Sequence, residues 1–157
     1  MITEAIVKEK LDSSTSGGVY CNFIKLDEKW ALKLYDRKTV RDFAFKEQSR
    51  AAVGGFAPEV GETVDFENLK MYGYVTEIIE TYCPSQKEFP KGKGYYAFLA
   101  EVMEERGWKE FNNITKEFPE EFKEAVAFYN KIEIDLDDAH LCNWGHKNGQ
   151  PMLIDYY

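Results

Sequence analysis

The segment Trp30-Ala31-Leu32-Lys33-Leu34-Tyr35 puts Trp30, Leu32 and Leu34 on one face of a strand and Ala31, Lys33 and Tyr35 on the other. Upstream, residues 19–26 read as a second strand, and the charged triplet Asp27-Glu28-Lys29 between the two has hairpin length. A lysine inside such a strand is either the solvated side of a half-exposed sheet or a working charge.

The next element weighs on that choice. Residues 39–53 follow a helical period, with Val40, Phe43, Ala44, Glu47 and Ala51 on one face, and Gly54, Gly55 and Pro58 end the helix. Glu47 is the one carboxylate in that stripe. Burying it is costly unless a cation meets it, and Lys33 is the nearest candidate by order of elements. The sequence therefore predicts a Lys33–Glu47 ion pair.

Two further β-rich stretches, 59–66 and 69–82, complete an expected four-stranded antiparallel sheet with one helix, in a chain that opens with a β-hairpin. Residues 83–94, rich in Pro, Gly and Lys, read as a linker, dividing the chain into 1–82, 83–94 and 95–157. Beyond it, Tyr95, Phe98, Leu99, Val102 and Arg106 share one helix face, and Phe122, Ala125, Val126 and Tyr129 share another after Pro119. Asn148-Gly149, between residues 144–147 and 151–154, predicts a hairpin with a type I′ turn. The expected class is α+β: an antiparallel N-terminal sheet, then a mainly helical part ending in a β-hairpin.

Composition narrows the function. The 157 residues suffice for one domain, or two small lobes, with a real core. A formal charge of −8 opposes a nucleic-acid backbone or an anionic membrane as main partner. The charged opening residues do not read as a signal peptide, and three cysteines without a Cys-x-x-Cys pair suit a reducing cytosol, so a cytoplasmic protein is expected.

Two further clusters can carry chemistry. Residues 13–20, Ser-Ser-Thr-Ser-Gly-Gly-Val-Tyr, offer backbone N–H groups and hydroxyls at the start of the hairpin, which suits either a phosphate cradle or a flexible polar turn. In the tail, folding back at Asn148-Gly149 brings Asn143 and Asp155 to neighbouring strand ends, where an amide and a carboxylate can share a magnesium ion. Asp138, five residues before Asn143, can then accept a hydroxyl proton. On the bland reading these acids are solvated loop residues. A zinc site from His140, Cys142 and His146 lacks a fourth ligand and good spacing, which leaves His140 a loop hydrogen-bonding residue, His146 an exposed hairpin residue and Cys142 a buried filler.

Taken in order, Gly-rich turn, strand lysine, helix glutamate, helical half, Asp-x-x-x-x-Asn, hairpin and Asp, the chain from Ser13 to Tyr157 resembles the protein-kinase-like superfamily. The resemblance implies an ATP- and magnesium-dependent phosphotransferase. Gly17 and Gly18 then cover the phosphates, Lys33 contacts the α- and β-phosphates, and Glu47 is its helix partner. Residues 78–82, with Glu80, form the adenine hinge; Asp138 is the catalytic-loop aspartate, and Asn143 and Asp155 are metal ligands. His140 in Asp-x-His-x-x-Asn points to an atypical member.

The sequence ends two residues after Asp155, and Tyr156-Tyr157 stand where Phe-Gly is usual, so the expected protein lacks an activation segment and substrate-binding helices. Two functions follow from that resemblance: a minimal phosphotransferase acting on an unknown protein substrate, or a pseudokinase-like module that binds and regulates a partner. The 15% aromatic content also admits a homodimer covering an apolar patch.

Overall fold

The computed structural model describes residues 2–13, 22–81, 120–136 and 143–156. Those residues form helices α1 (Glu4–Ser13), α2 (Lys38–Val53) and α3 (Glu120–Lys131). The strands are β1 (Asn22–Lys25), β2 (Trp30–Tyr35), β3 (Val60–Phe66), β4 (Met71–Glu77), β5 (Glu80–Thr81), β6 (Trp144–Lys147) and β7 (Gln150–Leu153). The chain is mixed α+β and divides into two compact units, Met1–Ser49 with Pro58–Ile78 and Tyr156–Tyr157, and Arg50–Ala57 with Ile79–Asp155. Among the described residues no helix is long and apolar enough to cross a membrane.

In the first unit β1, β2, β4 and β3 pair in that order, all antiparallel. The β1–β2 turn is held by one side chain: Asp27 Oδ1 accepts from the backbone N–H of Lys29 (2.7 Å) and Trp30 (2.8 Å). Those bonds hold its carboxyl below the usual carboxylate range. At the other end of the sheet, Lys70 in the left-handed region (φ 50°) closes the 3-10 turn Glu67–Leu69 that joins β3 to β4.

Both faces of this sheet are covered. On one face Val7 of α1 packs with Ile24, Leu32, Leu34 and Phe66. The expected opening hairpin is thus preceded by a helix, and the sheet carries two helices where one was expected. Helix α1 escapes a reading by hydrophobicity because it is rich in Lys and Glu. It is tied down by Glu4, whose carboxylate accepts from the backbone N–H (3.2 Å) and side-chain amide (2.8 Å) of Asn68, and by Lys10 donating to the Lys25 carbonyl (3.2 Å).

Helix α2 covers the other face, but rotated from expectation. Arg41, Ala44, Glu47, Gln48 and Ala51 are buried, whereas Phe43 is 50% exposed and Val40 half-buried. Polar contacts explain the rotation: Arg41 donates to the carbonyls of Gly73 (2.8 Å) and Val64 (3.2 Å) and to Asp65 (2.8 Å), so the helix turns its hydrogen-bonding side chains inward. Gly73 sits opposite Leu34, where a Cβ would meet the Lys33 carbonyl at 2.8 Å.

In the second unit Phe122, Ala125, Val126 and Tyr129 are buried along α3, as the spacing predicts. Phe122 and Tyr129 pack on Trp144, with ring centroids 4.4 and 5.8 Å away. Tyr129 also links three segments, donating its hydroxyl to the Phe56 carbonyl and accepting from the Leu153 backbone N–H (2.8 Å). Strands β5, β6 and β7 form a second antiparallel sheet. Asn148 (φ 53°) and Gly149 (φ 82°) both take positive φ at the β6–β7 turn, as a type I′ turn requires.

Candidate functional site

Lys33 lies on β2, between β1 and β4, and is only 6% exposed. The solvated-face reading is therefore corrected: α2 covers the face that Lys33 shares with Ala31, Tyr35, Tyr74 and Thr76. Leaving an ammonium among apolar groups is costly, and the surrounding atoms answer that cost with polarity. Lys33 Nζ lies 3.5 Å from Gln48 Oε1 and 5.8 Å from the centre of the Tyr74 ring. Glu47, the expected helix partner, is likewise 6% exposed on the α2 turn that carries Gln48.

Gln48, Tyr74 and Thr76 are polar residues of this buried layer that reading the sequence for motifs missed. Gln48 is 0% exposed and bonds to Lys33, Tyr74, Thr76 and the Pro58 carbonyl. A signal was present: Gln48 falls four residues after Ala44 and seven after Arg41, on one helix face. Tyr74 and Thr76 alternate on β4 with Lys33 opposite Tyr74, so all three point to the same side.

A second charged cluster lies at the far end of α2 from this layer. Lys38 and Arg41 both reach Asp65 on β3. The hydrogen bond from Lys38, with a further one from Arg41, holds the Asp65 carboxyl below the usual carboxylate range against the opposing effect of burial, and Asp65 in turn raises Lys38.

In the second unit the β6–β7 ladder pairs Trp144 with Leu153 and extends by one bond, from the Ile154 N–H to the Asn143 carbonyl (2.8 Å). Asn143 and Asp155 consequently lie at the open end of the hairpin, with Asn143 8% exposed and Asp155 half-buried. An amide oxygen and a carboxylate oxygen there are hard donors of the kind magnesium accepts.

Glu80 lies on β5, paired in register with His146 of β6, and its carboxylate is 3.0 Å from His146 Nε2. His146 was expected to be an exposed hairpin residue; its side chain is 17% exposed and engaged by Glu80. Gly145 permits this approach, since a Cβ there would stand 2.5 Å from the Glu80 carbonyl oxygen. Gly17, Gly18, Asp138, His140, Cys142 and the expected linker lie outside the described residues.

No protein-family model, curated protein or solved structure matches this chain. The resemblance drawn above rests on the order and kind of its residues.

Proposed function

We propose that the chain is an ATP- and magnesium-dependent phosphotransferase of protein-kinase-like design, passing the terminal phosphate to a hydroxyl. The observation that carries this reading is Lys33, an ammonium buried at 6% exposure on an internal strand, with Glu47 equally buried on the helix covering that strand. Burying a charged pair contributes little to stability compared with apolar residues of the same volume, whereas a fixed ammonium is what a triphosphate needs. An antiparallel sheet whose lysine strand leads directly into a glutamate-bearing helix is also the arrangement that the resemblance implies.

In this reading Lys33 binds α- and β-phosphate oxygens and Glu47 holds the lysine side chain. Gly17 and Gly18 offer backbone N–H groups to the phosphates, and the strand containing Glu80 lies along the adenine. Asn143 and Asp155 hold magnesium, which when bound neutralises phosphate charge. Asp138 orients the acceptor hydroxyl and takes its proton as the new oxygen–phosphorus bond forms. The bond from the terminal phosphorus to the bridging oxygen breaks, and ADP leaves with that electron pair. The chain's contribution is positioning and charge neutralisation.

The test is transfer from ATP labelled in its terminal phosphate to a mixture of protein acceptors, with and without magnesium, using wild type, Lys33→Ala and Asp155→Asn. Magnesium-dependent labelling lost in both variants is the expected result; absence of transfer and of any ATP-dependent melting shift sinks the proposal. A magnesium-dependent melting shift without transfer would favour a nucleotide-binding module that regulates a partner protein.

A further inference from the structure

The amide of Gln48 has two N–H donors and two oxygen lone pairs, and all four positions have a partner. Nε2 donates to the Pro58 carbonyl (3.1 Å) and to Thr76 Oγ1 (2.7 Å). Oε1 accepts from the Tyr74 hydroxyl (2.8 Å) and from Lys33 Nζ (3.5 Å). The orientation follows from chemistry: a carbonyl oxygen only accepts, so the NH₂ end must face Pro58, while an ammonium only donates, so the oxygen must face Lys33.

We propose that Gln48 is the positioning residue of Lys33, an inference that rests on the phosphotransferase reading. A lysine ammonium sits on four rotatable carbons and must be held in one place to meet phosphate oxygens. Gln48 is suited to hold it because its amide is clamped by two segments, Pro58 at the entry to β3 and Thr76 on β4, so the oxygen presented to Lys33 is fixed. As a neutral acceptor it restrains the ammonium without cancelling its charge. In the phosphotransferase reading Glu47, one residue earlier, supplies the negative charge. Gln48 supplies direction.

A purely structural Gln48, gluing α2 to the sheet, would affect stability and leave Lys33 unchanged. The experiment therefore reads Lys33 itself. The full chain is treated briefly with acetic anhydride, the acetylation rate of the Lys33 amine is mapped by mass spectrometry, and kcat and KM for ATP are measured on the same preparations. Gln48→Leu removes the tether. Thr76→Val loosens the amide without touching Lys33, and keeps the test open if the first variant does not fold.

A 3.5 Å contact is a long hydrogen bond of ordinary net strength, so folded variants should acetylate at Lys33 about three-fold or more faster and lose kcat by a similar factor, with KM moving less. Folded variants with wild-type Lys33 reactivity overturn the proposal, whatever their transfer rate. If wild type transfers no phosphate while Lys33 reactivity still rises in the variants, the phosphotransferase reading falls and the tether stands.

Discussion

Arg41, in the first turn of α2, donates a 2.8 Å hydrogen bond to the carbonyl of Gly73 on β4, and its side chain is 3% exposed. That contact, with the bonds to Val64 and Asp65, fixes the rotation of α2 and so decides that Gln48 faces the sheet and Glu47 is buried while Phe43 is half exposed. Arg41→Met keeps the apolar stem and removes the donors. We expect a loss of about 2–4 kcal/mol, because the buried Gly73 carbonyl and the Asp65 carboxylate each lose a partner. Urea unfolding of the variant against wild type checks it; equal midpoints would show that apolar contacts alone set the helix.

The Lys38–Asp65–Arg41 cluster makes stability depend on pH with a definite sign. Asp65 binds its proton less readily folded than unfolded, so its contribution is complete above the unfolded carboxylate value of about 4 and is lost as pH falls through the lowered folded value. Lys38 is raised, so its share is complete below the free-lysine value of about 10.4 and is lost as pH rises through the folded one. Asp65→Asn should therefore flatten both limbs of the stability profile while changing its middle less. Urea midpoints between about pH 2 and about pH 11 test this, and an unchanged acid limb would assign acid sensitivity to other carboxylates.

Legibility followed the range of the signal. The β1–β2 and β6–β7 hairpins and the face of α3 were readable because turn chemistry and apolar spacing act over a few residues. The face of α2 was misread because Arg41 and Gln48 count as surface in a hydrophobic pattern, yet their partners, the Gly73 and Pro58 carbonyls, lie on other elements. Helix α1 escapes the hydrophobic pattern because, among its described residues, it fully buries only Val7, with Leu11 partly buried, and is further anchored through Glu4 and Lys10. The pairing of β5 with β6 is set by contacts about 65 residues apart and marked only by the absent side chain of Gly145. For the candidate site, motif order pointed to Lys33 and Glu47, while the amide beside them became visible only with the helix rotation.

Gly145 offers a test of that pairing. A Cβ there meets the Glu80 carbonyl oxygen at 2.5 Å and Ile79 Cδ1 at 2.9 Å, and the backbone oxygen cannot yield without breaking the β5–β6 ladder. Gly145→Ala should cost about 1–3 kcal/mol and speed hydrogen exchange at residues 79–81 more than in β7. Unchanged exchange at those residues would mean that the close approach is not required.

Lys33→Ala separates stability from chemistry. Removing a buried ammonium leaves the Gln48 oxygen short of one donor, while sparing the sheet the cost of burying a cation. One neutral acceptor losing a donor, set against the burial cost that is spared, leaves a net change of about 2 kcal/mol or less. If the proposed phosphotransferase reading holds, phosphate transfer should by contrast fall by about a hundred-fold or more, since in that reading the ammonium acts on charge that the reaction redistributes. A variant that unfolds outright would mark Lys33 as a structural residue, and one that transfers normally would remove it from the proposed site.

The ends of α2 and α3 use the same backbone geometry with different residues. After α2, Phe56 N–H bonds the Ala51 carbonyl (3.0 Å) and Gly55 N–H the Ala52 carbonyl (3.0 Å), with Gly55 at φ 81°. After α3, Ile134 N–H bonds the Tyr129 carbonyl (3.0 Å) and Glu133 N–H the Asn130 carbonyl (3.2 Å), with Glu133 at φ 57°. Both are Schellman closures, and the left-handed position in each is one that a side chain disfavours by about 1 kcal/mol. At α2 a glycine meets that demand; at α3 an exposed glutamate bears the strain. Glu133→Gly should therefore stabilise the protein by about 0.5–1 kcal/mol, the relief of strain outweighing the greater freedom glycine gives the unfolded chain. Thermal unfolding of the single variant decides it: a higher midpoint locates the strain at Glu133, and a lower one means that its side chain contributes more to the closure than its backbone costs.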